Sequence, residues 1–222
     1  MSSSRPARKS SKGDYIETDS GNKVSRKALI TGTPNITLAG RTVLMPDVHL
    51  RGDIVRVRPP PPTTTTSTTS LDPSSAATAK PSSSSSSQST TAISIGKSTI
   101  IATSTILRPP ARLLRGLLQP YPLKIGEQVL IGPGCVVESA QIHNHVHVGA
   151  RCVLGAFSVL RENCRVLEGS CVPAGMVVPP GAVVAGRPAR VVGEVGEGFG
   201  VDGVGEGWVE GGELREVVRG IR

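Results

Sequence analysis

The stretch that decides the fold runs from Ile142 to Val184 and reads IHNHVHVGARCVLGAFSVLRENCRVLEGSCVPAGMVVPPGAVV. Every sixth residue in it is aliphatic, and the position four residues later is mostly small or compact. Because Ile, Leu and Val make up about a quarter of the chain, so long a series would arise by chance about once in 10^5 trials per starting point. The aliphatic series is Ile142, Val148, Leu154, Leu160, Val166, Val172, Val178 and Val184.

The same period continues toward the amino terminus, with one residue dropped before Ile142. Six residues fit a short strand plus a turn, and three such units make a triangular coil whose strands stack about 4.8 Å apart. The regularity of the repeat predicts a left-handed parallel β-helix, although connections between parallel strands are usually right-handed. The earlier aliphatic positions are Leu38, Leu44, Leu50, Ile95, Ile101, Leu107, Ile125, Ile131 and Val137.

Composition agrees with such an all-β prism, because 222 residues include 26 Gly but only five aromatic residues. A narrow aliphatic interior needs few aromatic side chains, and the corners need glycine. The repeat predicts a β-helix domain over residues 14–190, interrupted by a disordered Pro/Ser/Thr-rich insertion at 59–94. A disordered basic tail is expected at 1–13, and a Gly/Glu-rich segment with a short C-terminal helix at 191–222.

The formal charge of +8 would suit an anionic partner, but four of the positive charges lie in the amino-terminal tail. With few aromatics to stack on bases, no nucleic-acid binding is expected. Neither a secretory signal nor an apolar segment long enough to span a membrane is evident, so we expect a cytosolic or nuclear protein. The four cysteines are accordingly expected to be thiols.

An apolar and basic segment between Leu107 and Ile125 departs from the repeat. We interpret it either as an amphipathic element lying against one face of the prism or as a loop that docks a partner. The candidate partner-binding residues are Arg112, Leu113, Leu114, Arg115, Leu117 and Leu118.

Several short motifs carry a resemblance to a known family. The most specific is Tyr15-Ile-Glu-Thr followed by Ser20-Gly-Asn-Lys-Val-Ser-Arg26, because it lies outside the hexads and the fold does not require it. Together these motifs resemble the dynactin subunit 5 family, over roughly residues 14–190 without 59–94. The others are Leu50-Arg-Gly-Asp53, Ile106-Leu-Arg-Pro-Pro110, Pro122-Leu-Lys-Ile-Gly126 and Val146-His-Val-Gly149.

The resemblance implies a non-catalytic scaffold or adaptor subunit at the pointed end of dynactin, the activator of the microtubule motor dynein. Its implied partners are a sister β-helix subunit, a zinc-motif subunit and an actin-related protein, with dynein and membranous cargo such as endosomes reached indirectly. It implies a cytoplasmic, cytoskeleton-associated location without direct membrane insertion. The insertion and the Gly-rich C-terminal segment depart from the family pattern.

The alternative is an enzyme, because the same fold carries hexapeptide acyltransferases and γ-class carbonic anhydrases. Leu50 to Asp53 resembles the anhydrase motif, but the slots for its zinc-binding histidines hold Leu107 or Arg108, Pro133 and Glu138. The histidines at 143, 145 and 147 alternate along the chain. A corner between them would separate the rings, so we expect solvated surface histidines rather than a metal cluster or general base. No catalytic, metal-binding or cofactor-binding residue is assigned.

Overall fold

A computed structural model describes residues 14–55, 91–114 and 116–196. These residues form a three-sided prism in which successive strands turn through three parallel sheets, here called A, B and C. This is the left-handed parallel β-helix that the repeat predicts. The first coil follows an antiparallel strand, β1 (Tyr15–Glu17), and contains β2 (Lys23–Ser25), β3 (Leu29–Thr31), a 3-10 turn at Thr33–Asn35, and β4 (Ile36–Leu38).

The next coils each contribute one strand to sheets A, B and C in turn. The second contains β5 (Val43–Leu44), β6 (His49–Arg51) and β7 (Ile93–Ile95). The third contains β8 (Ile100–Ile101), β9 (Ile106–Leu107), the hairpin strands β10 (Ala111–Leu114) and β11 (Leu117–Pro120), and then β12 (Leu123–Ile125).

The remaining coils are the most regular. They contain β13 (Leu130–Ile131), β14 (Val136–Val137) and β15 (Gln141–Ile142); β16 (His147–Val148), β17 (Val153–Leu154) and β18 (Val159–Leu160); and β19 (Arg165–Val166), β20 (Cys171–Val172) and β21 (Val177–Val178). The prism ends with β22 (Ala182–Gly186) and β23 (Ala189–Glu194), which pair antiparallel.

The interior confirms the sequence register. All seventeen predicted aliphatic positions are buried except Leu38, which is half-buried and packs against the core from the first coil. The ladder Ile131, Val148, Val166 and Val184 and the ladder Ile125, Ile142, Leu160 and Val178 are both present. Each coil therefore covers the apolar side chains of its neighbour, as a solenoid requires.

The small buried position of the repeat also links neighbouring coils. The hydroxyls of Thr42, Thr99 and Thr105 donate hydrogen bonds of 3.2, 3.1 and 3.1 Å to carbonyls of the next coil. The thiols of Cys135 and Cys152 make the same kind of contact, at 3.0 Å to the Gly149 carbonyl and 3.1 Å to the Leu167 carbonyl. A compact side chain with a donor therefore suits this position.

The structure corrects two predicted boundaries. The prism resumes before residue 94, because Ala92 and Ile93 are buried and Ile93 begins β7. It also extends past residue 190, because β23 runs to Glu194 and pairs with β22. The period does not mark the first boundary, because β7 begins two residues before its periodic residue Ile95. It does not mark the C-terminal boundary, because the antiparallel pair β22–β23 does not follow the period. The predicted tail at 1–13, most of the insertion and the C-terminal helix lie outside the described residues.

Candidate partner-docking site

The departures from the repeat are concentrated at one corner of the prism, between sheets B and C. The second coil leaves this corner after Asp53 and returns at Ala92, and the third coil places the hairpin β10–β11 there. Asn35 holds both flanks of the first departure. Its side-chain amide donates to the Gly52 carbonyl at 3.0 Å, and its own carbonyl accepts from the Ala92 amide at 2.8 Å.

The Leu50 to Asp53 motif forms the outgoing side of this corner. Arg51 pairs with Asp53 at 2.9 Å, and the Thr31 hydroxyl donates to the same carboxylate at 3.0 Å. The hydrogen bond from Arg51 lowers the pKa of Asp53 to about 2. Gly52 is buried, and a Cβ added there would lie 2.5 Å from Cγ1 of Ile36. The motif is therefore a structural corner.

The hairpin exposes four leucines. Leu113 pairs with Leu118 and Leu114 pairs with Leu117 in its antiparallel register. Because neighbouring residues of a strand point to opposite sides, each face of the hairpin carries one leucine pair. The exposed fractions are 73% for Leu113, 51% for Leu114, 69% for Leu117 and 65% for Leu118. Adjacent leucines are therefore exposed on both faces of the hairpin.

Phe157 fixes the hairpin to the prism. The guanidinium carbon of Arg112 lies 4.6 Å from the centre of the Phe157 ring, a cation–π contact. The Tyr121 ring meets the same phenyl ring edge-on, with 5.3 Å between centroids. Phe157 belongs to the corner between β17 and β18, two coils beyond the one that supplies the hairpin. The hairpin therefore extends along the corner toward the C-terminal end of the prism.

Two further sets of contacts join the base of the hairpin to the prism. Pro109 and Pro110 are buried, and the Pro110 carbonyl accepts a hydrogen bond from the Tyr121 amide at 2.8 Å. Arg108 forms an ion pair with Glu138 of the next coil. The leucines at the tip are thus presented on a base that is held in one position.

The structure brings together five of the six predicted partner-binding residues. Arg112, Leu113, Leu114, Leu117 and Leu118 all lie on the hairpin, whereas Arg115 lies outside the described residues. The sequence interpretation did not identify Phe157 as the anchor. The signal available in the sequence was a bulky aromatic residue between two hexads. In the structure Phe157 has a φ of 61°, a value that glycine usually adopts.

The positions that would carry an anhydrase zinc site have other roles here. Arg108 and Glu138 neutralise each other as an ion pair, and Pro133 is an exposed corner residue. Within residues 14–55, 91–114 and 116–196, no group of three metal-ligating side chains comes together. None of the described helical residues forms a segment long and apolar enough to cross a membrane.

The histidines require a correction. The predicted corner is present as a turn at Asn144 and His145, but the expectation that all three are solvated was wrong. His143 and His145 are half-buried, and His147 is buried in sheet A between Leu130 and Arg165 of the adjacent strands. Burial, with a smaller contribution from the Arg165 charge, lowers the pKa of His147 to about 4. The hexad pattern does not reveal this, because His147 occupies an outward-facing position.

The four cysteines are free thiols, as expected. Cys135 and Cys152 precede Val136 and Val153, which pair in adjacent strands, so the two cysteines occupy equivalent positions in neighbouring coils. Burial also raises the pKa of the Cys164 thiol to about 12. Compact packing accounts for the three buried cysteines, and Cys135 and Cys152 also donate hydrogen bonds to carbonyls of the next coil.

Comparison with known structures shows that the chain has the fold of hexapeptide-repeat β-helix proteins. A hexapeptide transferase family protein of Anaplasma phagocytophilum superposes with a TM-score of 0.53 at 17% identity, covering 90% of each chain. The N-acyltransferase AntD of Bacillus cereus superposes with a TM-score of 0.54 at 12% identity, covering 88% of this chain and 87% of the other. At such low identity the likeness concerns the fold alone.

Sequence comparison is more specific. The family model described as dynactin subunit 5 matches residues 8–81 and 86–201, and the chain belongs to this family. Dynactin subunit 5 of Dictyostelium discoideum is 31% identical over 131 residues, which are 59% of this chain and 48% of the relative. An uncharacterised protein of the same organism is 32% identical over 104 residues, covering 47% and 41%. The match thus spans about half or less of each relative's length.

Proposed function

We propose that this chain is a non-catalytic scaffold subunit at the pointed end of dynactin, and that the hairpin β10–β11 docks one of its partner subunits. Membership of the dynactin subunit 5 family supports the assembly, and the presentation of the hairpin supports the docking site. The candidate partners are the sister β-helix subunit, the zinc-motif subunit and the actin-related protein. Through them the chain would support dynein-driven transport and attachment of endosomal cargo in the cytoplasm, in association with the cytoskeleton.

The observation that carries the docking proposal is the combination of exposed leucines and an anchored base. A flexible loop with four leucines would lose conformational entropy on binding, whereas an anchored hairpin has already lost most of it. The leucines can therefore contribute their buried area to the interface. Arg112 adds a positive charge beside them, so we infer an apolar cleft with an acidic border on the partner.

A non-catalytic role also agrees with the chemistry of the prism. The ion pair between Arg108 and Glu138 occupies positions that the anhydrase pattern reserves for zinc ligands. His147, with a pKa of about 4, is poorly suited to act as a general base near neutral pH. The acyltransferase alternative rests on the shared fold, and it differs by predicting a symmetric homotrimer with acyl-transfer activity.

The test is to tag the full chain in its source organism, purify it under native conditions and measure the mass and composition of the assembly. We expect non-identical subunits, including an actin-related protein. Leu113→Glu combined with Leu118→Glu should reduce recovery of one partner at least about tenfold, because a buried unpaired carboxylate costs more than about 1.4 kcal/mol. Val177→Glu, an exposed position on sheet C, is the matched control and should leave the composition unchanged.

A homotrimer with acyl-transfer or carbon dioxide hydration activity would overturn the scaffold proposal. If the leucine variant melts at the same temperature as the parent and its assembly has an unchanged composition, the hairpin is not the docking site.

A further inference from the structure

The outward-facing side chains of sheet A are buried, although they lie on the outside of the prism. Strand pairing aligns four of them in one line across successive coils: Val43, Ile100, Leu130 and His147. We call this line the A ladder. Its three aliphatic members are at most 2% exposed, and His147 is buried as well. A side chain on the outside of a sheet keeps contact with water unless another layer packs over it, so this burial indicates a cover.

The equivalent positions on the other two faces stay accessible to water. On sheet B, Leu29, Ile106 and Val153 are 54%, 37% and 39% exposed, and on sheet C Val177 is 56% exposed. These are aliphatic side chains like those of the A ladder, on short parallel strands of the same prism. Position in the repeat therefore does not explain the burial of the A ladder, and the cover is particular to sheet A.

None of the elements within residues 14–55, 91–114 and 116–196 forms a layer over sheet A. The strands in these ranges belong to the three sheets or to the hairpin, and both the hairpin and the 3-10 turn lie at the corner between sheets B and C. At the two ends of sheet A, β1 and β23 pair with it edge to edge. The layer that buries the A ladder therefore comes from residues outside these ranges.

The three long stretches outside these ranges differ in their apolar content. Residues 1–13 contain no Ile, Leu or Val, and residues 56–90 contain only Val57 and Leu71. Residues 197–222 contain seven such residues, together with Trp208. Because the removal of apolar surface from water is what stabilises such a contact, composition favours the carboxyl-terminal stretch as the cover.

The carboxyl-terminal stretch also has a suitable pattern and length. Four of its aliphatic residues recur at the spacing of one face of an α-helix, namely Leu214, Val217, Val218 and Ile221. A helix over residues 213–221 would be about 14 Å long, at about 1.5 Å per residue. The A ladder consists of four residues about 4.8 Å apart and is also about 14 Å long. The apolar stripe of the helix and the A ladder therefore match in length and in chemical character.

The chain leaves the prism at the edge of the sheet that is covered. The last strand of sheet A is β23, and just beyond it the Val195 amide donates to the Gly181 carbonyl at 2.7 Å. A flexible connection of the length of residues 197–212 reaches about 20–24 Å, which is enough to bring residue 213 onto the face of sheet A. The match to the family model ends at residue 201, so the apolar stripe is not part of that match.

We propose that residues 213–221 form a helix whose apolar stripe packs on the A ladder, so that the carboxyl-terminal segment covers sheet A within the chain itself. On such a helix Glu216 and Arg219 lie on the side away from the stripe and face water. The hairpin stays free to contact partner subunits, whereas sheet A does not. This inference does not depend on the proposed function, because it concerns a contact within one chain.

The first test uses the tagged full chain, isolated with its assembly, with the photo-crosslinking residue p-benzoylphenylalanine at position 214. We expect crosslinks within the chain to peptides that contain the A ladder. The same residue at position 216, on the opposite side of the helix, is the matched control and should give at least about tenfold fewer of these crosslinks. Crosslinks mainly to sheet B, to sheet C or to another chain, or equal yields at the two positions, would overturn the proposal.

Chemical modification of His147 is a second readout that needs no crosslink. Val218→Asp places a carboxylate in the stripe and should raise the rate at which diethylpyrocarbonate modifies His147 at least about fivefold, while the exposed His49 reacts as in the parent. Arg219→Asp, one residue further along and outside the stripe, is the matched control and should leave both rates unchanged. If His147 stays as protected in Val218→Asp as in the parent, residues 213–221 are not the cover.

Discussion

At the scale of single residues, the prism distinguishes sharply between neighbouring positions. Val166 lies between Val148 and Val184 in the interior and is 1% exposed, whereas Arg165 beside it faces outward and is exposed. Val166→Asp should place an unpaired carboxylate in a dry interior, at a cost of several kcal/mol against a total stability of about 5–15 kcal/mol. We expect a large fall in melting temperature and loss of co-precipitation with pointed-end partners.

Arg165→Asp is the control for this prediction, and it should melt close to the parent. If Val166→Asp melted like the parent and still bound partners, the inward register would be contradicted.

His147 gives the chain a pH-dependent stability. Its pKa falls to about 4 in the folded protein, below the value of about 6.5 in an unfolded chain, so protons bind the unfolded state better between these values. The contribution of His147 is therefore fully present above about pH 6.5 and is lost as the pH falls toward 4, by at most about 1.4 kcal/mol per pH unit. Denaturant unfolding at pH 7.5, 6, 5 and 4 would measure it.

The matched variant is His147→Gln, which cannot titrate and should show a shallower decline over this range. Identical pH dependence of the variant and the parent would refute the assignment to His147.

At the scale of elements, the hairpin depends on a residue that is distant in sequence. Phe157→Ala removes both the edge-on contact with Tyr121 and the face that Arg112 covers. These contacts contribute about 0.5–1.5 kcal/mol and about 0.5–1 kcal/mol respectively. We expect faster hydrogen exchange of the β10 and β11 amides and weaker partner binding, with the sheets protected as before.

Phe157→Tyr keeps the ring and should restore slow exchange. A Phe157→Ala variant with unchanged exchange in the hairpin would show that Pro109, Pro110 and the ion pair of Arg108 suffice to fix it.

At the scale of the whole molecule, the prism should tolerate removal of the Pro/Ser/Thr-rich segment. Asn35 contacts both Gly52 and Ala92, so the two flanks lie close together. Deleting Pro59 to Thr91 shortens the connection between Asp53 and Ala92 from 38 residues to five. This is about three halvings, and each halving changes the closure free energy by only about 0.6 kcal/mol. We expect a soluble variant with one cooperative unfolding transition and a melting temperature near that of the parent.

Asn35→Ala in the deletion variant is the informative companion, because it removes the side-chain bond to Gly52 and should lower the melting temperature below that of the deletion variant. An insoluble deletion variant, or one without cooperative unfolding, would contradict the prediction.

The sequence by itself determined the β-helix, its register, the buried aliphatic ladders and the exceptional character of the segment at 111–118, because the interior of a solenoid imposes a strict local period. It also carried the family resemblance. Only the tertiary structure decided that this segment is a hairpin fixed by Phe157, that His147 is buried, and that sheet B keeps an exposed apolar line. These features depend on contacts between coils and on which outward positions become covered, and such contacts leave no period in the sequence.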